Sequence, residues 1–166
     1  MFTIDKVLLF EQLDNYQLQR HDFLNYFQVI KGYLQLGMPE KALEYLDETV
    51  AGLFQQQQIY KIGQKTLISI LLGLFFRLRI KGIEMVLIFP TEMKEEEFWS
   101  ERWQEEYAEQ FYGYTKDCSS SIPQEMDPEN LSAEVELLTV AQGFGCEFRL
   151  LNRGNLSFQS NFSTSS

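Results

Sequence analysis

Apolar residues recur in alternating steps of four and three along the first part of the chain. The series is Leu9, Leu13, Tyr16, Phe23, Phe27, Ile30 and Leu34, with Arg20 at its one polar position. Alternating steps of this kind place an apolar seam along one side of a helix that packs in a bundle or coiled coil. The pattern therefore predicts a helix from about Asp5 to Leu36, roughly 45 Å long at 1.5 Å per residue.

A second helix is predicted directly after the first. Gly37 suits the left-handed cap of one helix, and Pro39 suits the first turn of the next. From Pro39 to Gln58 the same spacing continues, at Leu43, Leu46, Val50 and Leu53. Two long helices joined by a tight turn form an antiparallel hairpin, which alone leaves much apolar surface exposed. We therefore expect two copies to pair about a twofold axis as a four-helix bundle, which makes the protein a homodimer.

After residue 58 the pattern predicts a mixed α/β domain. A nearly all-apolar segment predicts a helix from Thr66 to Lys81, and Ile83 to Phe89 is typical of a strand. An amphipathic helix is predicted from Glu95 to about Tyr114. One side of this helix is aromatic, with Trp99, Trp103, Tyr107, Phe111 and Tyr114, and the other carries Glu95, Glu96, Glu97, Glu101, Glu105, Glu106 and Glu109. We interpret the acidic side as a solvated face.

The remaining residues predict a loop, a helix and a β-hairpin. A loop from Thr115 to Asp127 leads to Asp127-Pro128-Glu129, which supplies an N-cap, a proline at the first helical position and an early acid. These signals predict a helix that runs to about Gln142 and stops at Gly143. Strands from Cys146 to Leu151 and from Leu156 to Phe162 are predicted around a turn at residues 152–155.

The predicted fold class is α+β. A helical hairpin that forms a dimeric four-helix bundle occupies residues 1–58, a small α/β domain occupies residues 59–162, and a frayed tail covers residues 163–166. With 166 residues and a hydrophobic content of 45%, the chain can bury a core of its own.

Charge and composition exclude several classes of partner. The formal net charge is −10 and no run rich in lysine and arginine occurs, so phosphate backbones and anionic membrane surfaces would repel the chain. The N-terminus lacks the features of a signal peptide, and the apolar stretch from Leu67 to Ile80 is too short to span a bilayer. Cys118 and Cys146 fit no metal or redox spacing and are expected to be reduced thiols. We expect a cytoplasmic protein that binds neither nucleic acid nor membrane.

His21 is the only histidine and the strongest candidate for chemistry. Helix geometry places Gln17, Asn25 and Gln28 on its face, about 100° from the seam position Arg20. A free imidazole nitrogen can attack the phosphorus of an acyl phosphate in line, and phosphoryl transfer needs mainly positioning and charge neutralisation. In that case Asp22 could orient the ring, Arg20 could offset phosphate charge, and Asn25 could bind a phosphoryl oxygen or a water. The alternative is that His21 is an ordinary solvated residue.

Three segments carry a family resemblance. Residues 20–25 (Arg-His-Asp-Phe-Leu-Asn), 28–37 and 40–46 resemble the histidine-box hairpin of the sporulation initiation phosphotransferase B family, which citrate-sensor-type histidine kinases share. The likeness is close from about Leu18 to Val50. Beyond it, Leu67 to Phe89 resembles the helix and strand that lead into the ATP-binding domain of those kinases. Leu131 to Phe162 resembles that domain's closing helix and hairpin, so the second domain resembles a degenerate kinase ATPase domain.

The resemblance implies a dimeric four-helix bundle with one phosphorylated histidine in each subunit, here His21. It implies supporting positions at Arg20, Asp22 and Asn25. It also implies a surface that binds response-regulator receiver domains, to which we assign Gln17, Leu18, Leu24 and Gln28. No intrinsic cofactor or metal is implied, and the magnesium ion is expected to come with the receiver domain.

The chain departs from the kinases where ATP would bind. Such a kinase needs a helix bearing asparagine that holds magnesium and nucleotide, but Glu92 to Asp117 contains no asparagine. It also needs an Asp-x-Gly-x-Gly loop, which is absent from the sequence. Gly143-Phe144-Gly145 would follow a helix instead of opening one, so we interpret it as a turn and not as a phosphate cradle. The loop from Thr115 to Asp127 leaves little room for an ATP lid.

The resemblance, together with these departures, implies a histidine phosphotransferase and not an ATP-dependent kinase. His21 would accept a phosphoryl group from the aspartyl phosphate of one receiver and pass it to the aspartate of another, in a phosphorelay that controls sporulation initiation. Two alternatives remain open at this point. One is a non-enzymatic regulator that binds receivers or kinases, and the other is a divergent sensor histidine kinase.

Overall fold

A computed structural model describes residues 3–164 of the chain. The chain divides between Gln57 and Gln58 into two compact units. The helices are α1 (Ile4–Gln35), α2 (Pro39–Ile59), α3 (Lys65–Ile80), α4 (Glu96–Ser100) and α5 (Glu105–Ser120), and the strands are β1 (Glu84–Ile88), β2 (Leu131–Val140), β3 (Gly143–Asn152) and β4 (Asn155–Ser163). The predicted α+β fold is confirmed.

The first unit is a helical hairpin, as predicted. The Thr3 hydroxyl accepts a hydrogen bond from the Lys6 amide at 3.4 Å and caps the start of α1. Gly37 has a φ of 71°, which places it in the left-handed region that a helix-ending glycine favours. Both helices begin and end within one residue of the predicted bounds. Their mutual packing is aromatic, because the Tyr45 ring of α2 lies 6.3 Å from Tyr26 and 6.4 Å from Tyr33 of α1.

The predicted apolar seam is not the surface that joins the two helices of one hairpin. Three of its eleven apolar members, Phe23, Ile30 and Leu53, are half-buried. The other eight, Leu9, Leu13, Tyr16, Phe27, Leu34, Leu43, Leu46 and Val50, are between 39% and 66% exposed. The contact between α1 and α2 uses a neighbouring stripe instead, which includes Leu8, Asn15, Tyr26 and Ala42. The hairpin therefore presents a second apolar stripe that the contact between its two helices leaves exposed.

The second unit is a mixed sheet covered on one face by helices. The strand order is β1-β2-β3-β4, with β1 parallel to β2 and the other pairs antiparallel. Helix α3 packs against α5 and β1. On β2 and β3 every second side chain is buried against the helices, with exposures of 0–1% at Ala133, Val135, Leu137, Cys146, Phe148 and Leu150. This alternation is the signature of a sheet with one covered face.

The predicted aromatic stripe forms the core of the second unit. Phe144 of β3 lies at its centre, with ring centroids at 5.3–6.4 Å from Trp99, Trp103, Tyr107, Phe111 and Phe162. Four of these ring pairs are tilted or edge-to-face and the pair with Trp103 is stacked. Such arrangements add to the stabilisation that area burial gives. The seven glutamates of the opposite side are all exposed, as the interpretation of a solvated face requires.

The predicted single helix from Glu95 to Tyr114 is wrong, because the segment forms two helices with a break at residues 101–104. Arg102 lies in the break and its guanidinium donates to the carbonyl oxygens of Val140 and Gly143, at 2.5 and 3.2 Å. Arg102 thus links the segment between α4 and α5 to the β2–β3 turn. Helix α5 also continues to Ser120, so the predicted loop from Thr115 begins only at Ser121.

The predicted helix from Asp127 to Gln142 is also wrong. The Asp127 carboxylate does accept from the Glu129 amide at 3.0 Å, but the capped turn ends at Asn130 and the chain continues as β2. Apolar residues from Leu131 to Leu137 alternate with polar ones, which fits a strand buried on one face and outweighs the local helix signal. The resemblance of this segment to a closing helix is therefore not upheld. Gly143-Phe144-Gly145 opens β3 after a two-residue turn, and does not follow a helix.

The β3–β4 hairpin is confirmed. Arg153 and Gly154 have φ values of 50° and 81°, as a two-residue type I′ turn requires. The predicted tail begins inside the sheet, because Ser163 ends β4 and the Thr164 amide donates to the Phe144 carbonyl oxygen at 3.1 Å. The last two residues of that predicted tail, Ser165 and Ser166, lie outside the described residues.

Candidate functional site

His21 lies in the middle of α1 with its side chain exposed. Its imidazole has one close polar neighbour, the amide of Asn25 one turn further along, whose Nδ2 lies 3.4 Å from Nδ1. Residues four positions apart share a helix face, so this contact follows directly from the sequence spacing. The other ring nitrogen, Nε2, is at the far end of the ring from Asn25 and is the nitrogen available to a reaction partner.

The remaining predicted residues fall into two groups. Gln17, Arg20, Leu24, Asn25 and Gln28 are exposed, and four of them flank His21 on its own face at spacings of three, four and seven residues. Leu24 is 54% exposed and adds an apolar side chain to this face. Helix α1 thus brings an imidazole, three amides and an apolar side chain to one patch.

Leu18 and Asp22 form the second group, since both are half-buried. They are four residues apart, and Tyr26, which packs against Tyr45 of α2, is four residues further along. Asp22 therefore lies on the stripe that faces α2, about 100° around the helix from His21. Adjacent helix residues do not face one another, and the contact at Nδ1 of His21 comes from Asn25.

Positive charge is scarce around His21. Helix α1 carries only three cationic side chains, Lys6, Arg20 and Lys31, in a chain of net charge −10. Arg20 is exposed beside the imidazole, and the other two lie at least ten residues away along the helix. A phosphoryl group at His21 would therefore depend on its partner for most of its charge neutralisation.

Among the described residues, the space between the sheet and the helices of the second unit is filled by apolar side chains. Leu74, Phe111, Phe144 and Phe148, which fill that interface, are 0–1% exposed. An interface packed with apolar side chains gives a triphosphate neither space nor hydrogen-bond donors. An open groove of about 490 Å³ occurs elsewhere in this unit, at the β3–β4 turn, lined by Asn130, Asn152, Arg153, Asn155, Leu156 and Ser157. The sequence predicted this segment only as a turn, and no motif pointed to the groove.

The two cysteines are free and buried, as predicted for reduced thiols. Burial raises the pKa of the Cys118 thiol to about 11, and burial also raises the pKa of Cys146. Protonated thiols are poor nucleophiles and poor metal ligands, so neither cysteine adds a reactive centre. Within residues 3–164, no group of three or more histidine, cysteine or acidic side chains is placed to hold a metal ion. Across the same residues, no helix is long and apolar enough to cross a bilayer.

The hairpin also matches a known domain. Residues 8–62 fit the family described as Sensor_kinase_SpoOB-type, alpha-helical domain. The helical hairpin is similar to this domain. The matched segment covers roughly a third of the chain and includes His21 and every other predicted site residue. It confirms the resemblance that the histidine box indicated and supports a two-component signalling context for the hairpin. No curated protein matches the chain.

Proposed function

We propose that the protein is a histidine phosphotransferase of a phosphorelay. His21 accepts a phosphoryl group from the aspartyl phosphate of one response-regulator receiver and passes it to the aspartate of a second receiver, in the control of sporulation initiation. The observation that carries the proposal is the exposed imidazole of His21 on a hairpin of the SpoOB-type domain family.

Two features support a phosphorylated protein, and not ATP, as the donor of the phosphoryl group. The site has a nucleophile but few cations, and a receiver domain brings both the acyl phosphate and the magnesium ion that balances its charge. The second unit lacks the loops that hold ATP, and the space between its sheet and helices is filled by apolar side chains. Receiver domains are cytoplasmic, so the proposal places the protein in the cytoplasm. No cofactor of its own is required.

The exposed patch around His21 supports the proposed contact with a receiver. Leu24 supplies an apolar contact. Gln17 and Gln28 supply neutral amides, which can hydrogen-bond to positively or negatively charged groups of a receiver. The acceptor and donor receivers would occupy this patch in turn, since one His21 serves both.

Transfer of labelled phosphate tests the proposal. Wild-type protein mixed with a phosphorylated receiver is expected to gain acid-labile phosphate, and to pass it on when a second, unphosphorylated receiver is added. His21→Gln keeps a polar side chain on the helix surface and is expected to abolish labelling. ATP alone is expected to give no label, and labelling from ATP would indicate a kinase. If wild type stays unlabelled with every receiver encoded in its own genome, the proposed function is wrong.

A cellular assay separates this function from that of a receiver-binding regulator. The regulator uses the same surface but does not need the imidazole. His21→Gln is therefore expected to abolish signalling while the affinity for receivers is retained. Full signalling by His21→Gln would favour the non-enzymatic alternative.

A further inference from the structure

The sheet of the second unit has two edges of different character. At one edge, β1 has five residues and includes Glu84, and short length and charge both protect a sheet edge against further pairing. At the other edge, β4 has nine residues and contains neither a charged residue nor a proline. A long, uncharged edge strand can hydrogen-bond a further strand. The β4 edge is therefore the one suited to strand addition.

One hydrogen bond identifies the main-chain groups at the outer edge of β4. The Thr164 amide donates to the Phe144 carbonyl oxygen of β3 at 3.1 Å, so the main chain of Thr164 faces β3. Main-chain groups alternate in direction along an antiparallel strand, and the pairing with β3 is regular over residues 158–163. Gln159 and Asn161 therefore direct their amides and carbonyl oxygens away from β3. Among the described residues, none of these four groups has a hydrogen-bond partner.

The contacts of neighbouring side chains leave this edge open. Gln159 Nε2 donates to Asn161 Oδ1 at 3.3 Å, and both side chains are exposed. On the covered face, the Tyr114 hydroxyl of α5 donates to the Ser160 carbonyl oxygen at 2.7 Å. Ser160 belongs to the set of residues that face β3. Neither contact uses an outward main-chain group.

The regular part of the edge ends at a groove. The register shifts opposite Leu150 and Leu151, as at a β-bulge, and a bulge terminates pairing. The groove of about 490 Å³ lies at this point, because Leu156 and Ser157 of β4 line it. Arg153 is the only charged residue that lines it, in a chain of net charge −10, and three of the six asparagines of the chain line it as well. The groove therefore offers one cation and several amide donors to an anion.

We propose that the β4 edge and the groove together bind the extended carboxyl-terminal segment of a partner protein. A strand that adds antiparallel to β4 runs toward the β3–β4 turn, so its C-terminus reaches the groove. The six steps from Asn161 to Asn155 span about 20 Å at 3.4 Å per residue, which a segment of about seven residues covers. Gln159 and Asn161 exchange main-chain hydrogen bonds with the segment, and Arg153 binds its terminal carboxylate.

Randomised heptapeptides test the proposal on the full chain. Each peptide is attached to an array through its N-terminus and ends in a free carboxylate, and labelled protein is expected to select a subset. Dissociation constants of the selected peptides are then measured in solution by fluorescence anisotropy. Replacing the terminal carboxylate with a carboxamide is expected to weaken binding about tenfold or more, the effect of losing a hydrogen bond between charged groups.

Arg153→Asn removes the charge and keeps the turn, because asparagine followed by glycine is favoured in a type I′ turn. This variant is expected to weaken binding of the carboxylate peptides about tenfold and to leave that of the carboxamides unchanged. Lys65→Asn removes the same charge at the exposed start of α3 and is expected to leave both affinities unchanged.

Amide hydrogen exchange locates the added strand. In the free protein, the amides of Gln159 and Asn161 are expected to exchange faster than those of Ser160 and Phe162, which face β3. Selected peptides are expected to slow exchange at Gln159 and Asn161. Asn161→Pro removes one outward amide and no bond to β3, so it is expected to fold and to weaken binding about tenfold.

An array from which no peptide is selected would overturn the proposal. Equal affinities for the carboxylate and carboxamide forms, or slowed exchange only outside β4, would do the same. Light scattering identifies a different occupant of the edge, a second copy of this chain. A mass that rises with concentration in wild type but not in Asn161→Pro, without peptide binding, would mean that β4 pairs with itself and would also overturn the proposal.

Discussion

The backbone around Gly63 leaves no room for a side chain at this position. A Cβ atom at this position would lie 2.7 Å from the carbonyl carbon of Glu95, a contact with backbone that cannot move aside. The Gly63 amide donates to the Met93 carbonyl oxygen at 2.9 Å, and the Trp99 indole donates to the same oxygen at 2.8 Å. The close approach therefore holds the segment before α3 against the turn before α4.

Gly63→Ala is accordingly expected to destabilise the second unit by about 1–3 kcal/mol, the usual cost of overpacking. Urea unfolding followed by tryptophan fluorescence measures this, because both tryptophans lie in the same unit. Gly113→Ala is the matched control, since Gly113 is within α5 and no atom lies within 4 Å of its added Cβ. The control is expected to stabilise by about 0.5–1 kcal/mol. Equal effects of the two substitutions would contradict the close approach at Gly63.

At the scale of elements, the hairpin contains two buried amide side chains at a similar distance from the turn that joins its helices. Asn15 lies 22 residues before Gly37 and Gln56 lies 19 residues after it, on antiparallel helices. They are 9% and 4% exposed. Neither Asn15 Nδ2 nor Gln56 Oε1 has a hydrogen-bond partner among the described residues. Buried polar groups without partners lower stability and are kept in some helical bundles because they fix the register.

The double variant Asn15→Leu with Gln56→Leu is therefore expected to raise the free energy of unfolding by about 1–3 kcal/mol. Chemical denaturation followed by helical circular dichroism measures it. Gln57→Leu adds an apolar side chain at the exposed neighbouring position and is expected to change stability by less than about 0.5 kcal/mol. A marked loss of stability in the double variant would mean that the two amides pair with each other in solution.

The elements differ in how far local sequence could predict them. Helices α1 and α2 were predictable because their spacing repeats over many turns and agrees with Gly37 and Pro39 at the turn. Strand β2 was missed because Asp127 and Pro128 start a real but single capped turn, whereas the strand is stabilised by pairing with β1 and β3 at distant positions. The contact between His21 and Asn25 follows from a spacing of four residues. The half-burial of Asp22 does not, because it depends on where α2 packs.

At the scale of the whole molecule, the exposed apolar stripe of the hairpin is expected to pack against another protein surface. Eight of its eleven seam residues are 39–66% exposed, and the stripe runs along both helices. Monomeric proteins rarely leave an apolar stripe of this extent in water. A second copy offers a stripe of identical chemistry, which a twofold axis can bring into contact with the first. We therefore expect the hairpins to pair as a four-helix bundle.

Light scattering on the full chain tests this expectation. Wild type is expected at about 39 kDa, twice the chain mass of 19.5 kDa. Leu13→Glu would place one charge from each copy within the apolar seam, and burying an unpaired carboxylate costs several kcal/mol, so the variant is expected near 19.5 kDa. Gln35→Glu adds the same charge at an exposed position outside the seam and is expected to remain dimeric. A monomeric wild type, or a Leu13→Glu variant that stays dimeric, would mean that the stripe is not the surface on which two copies meet.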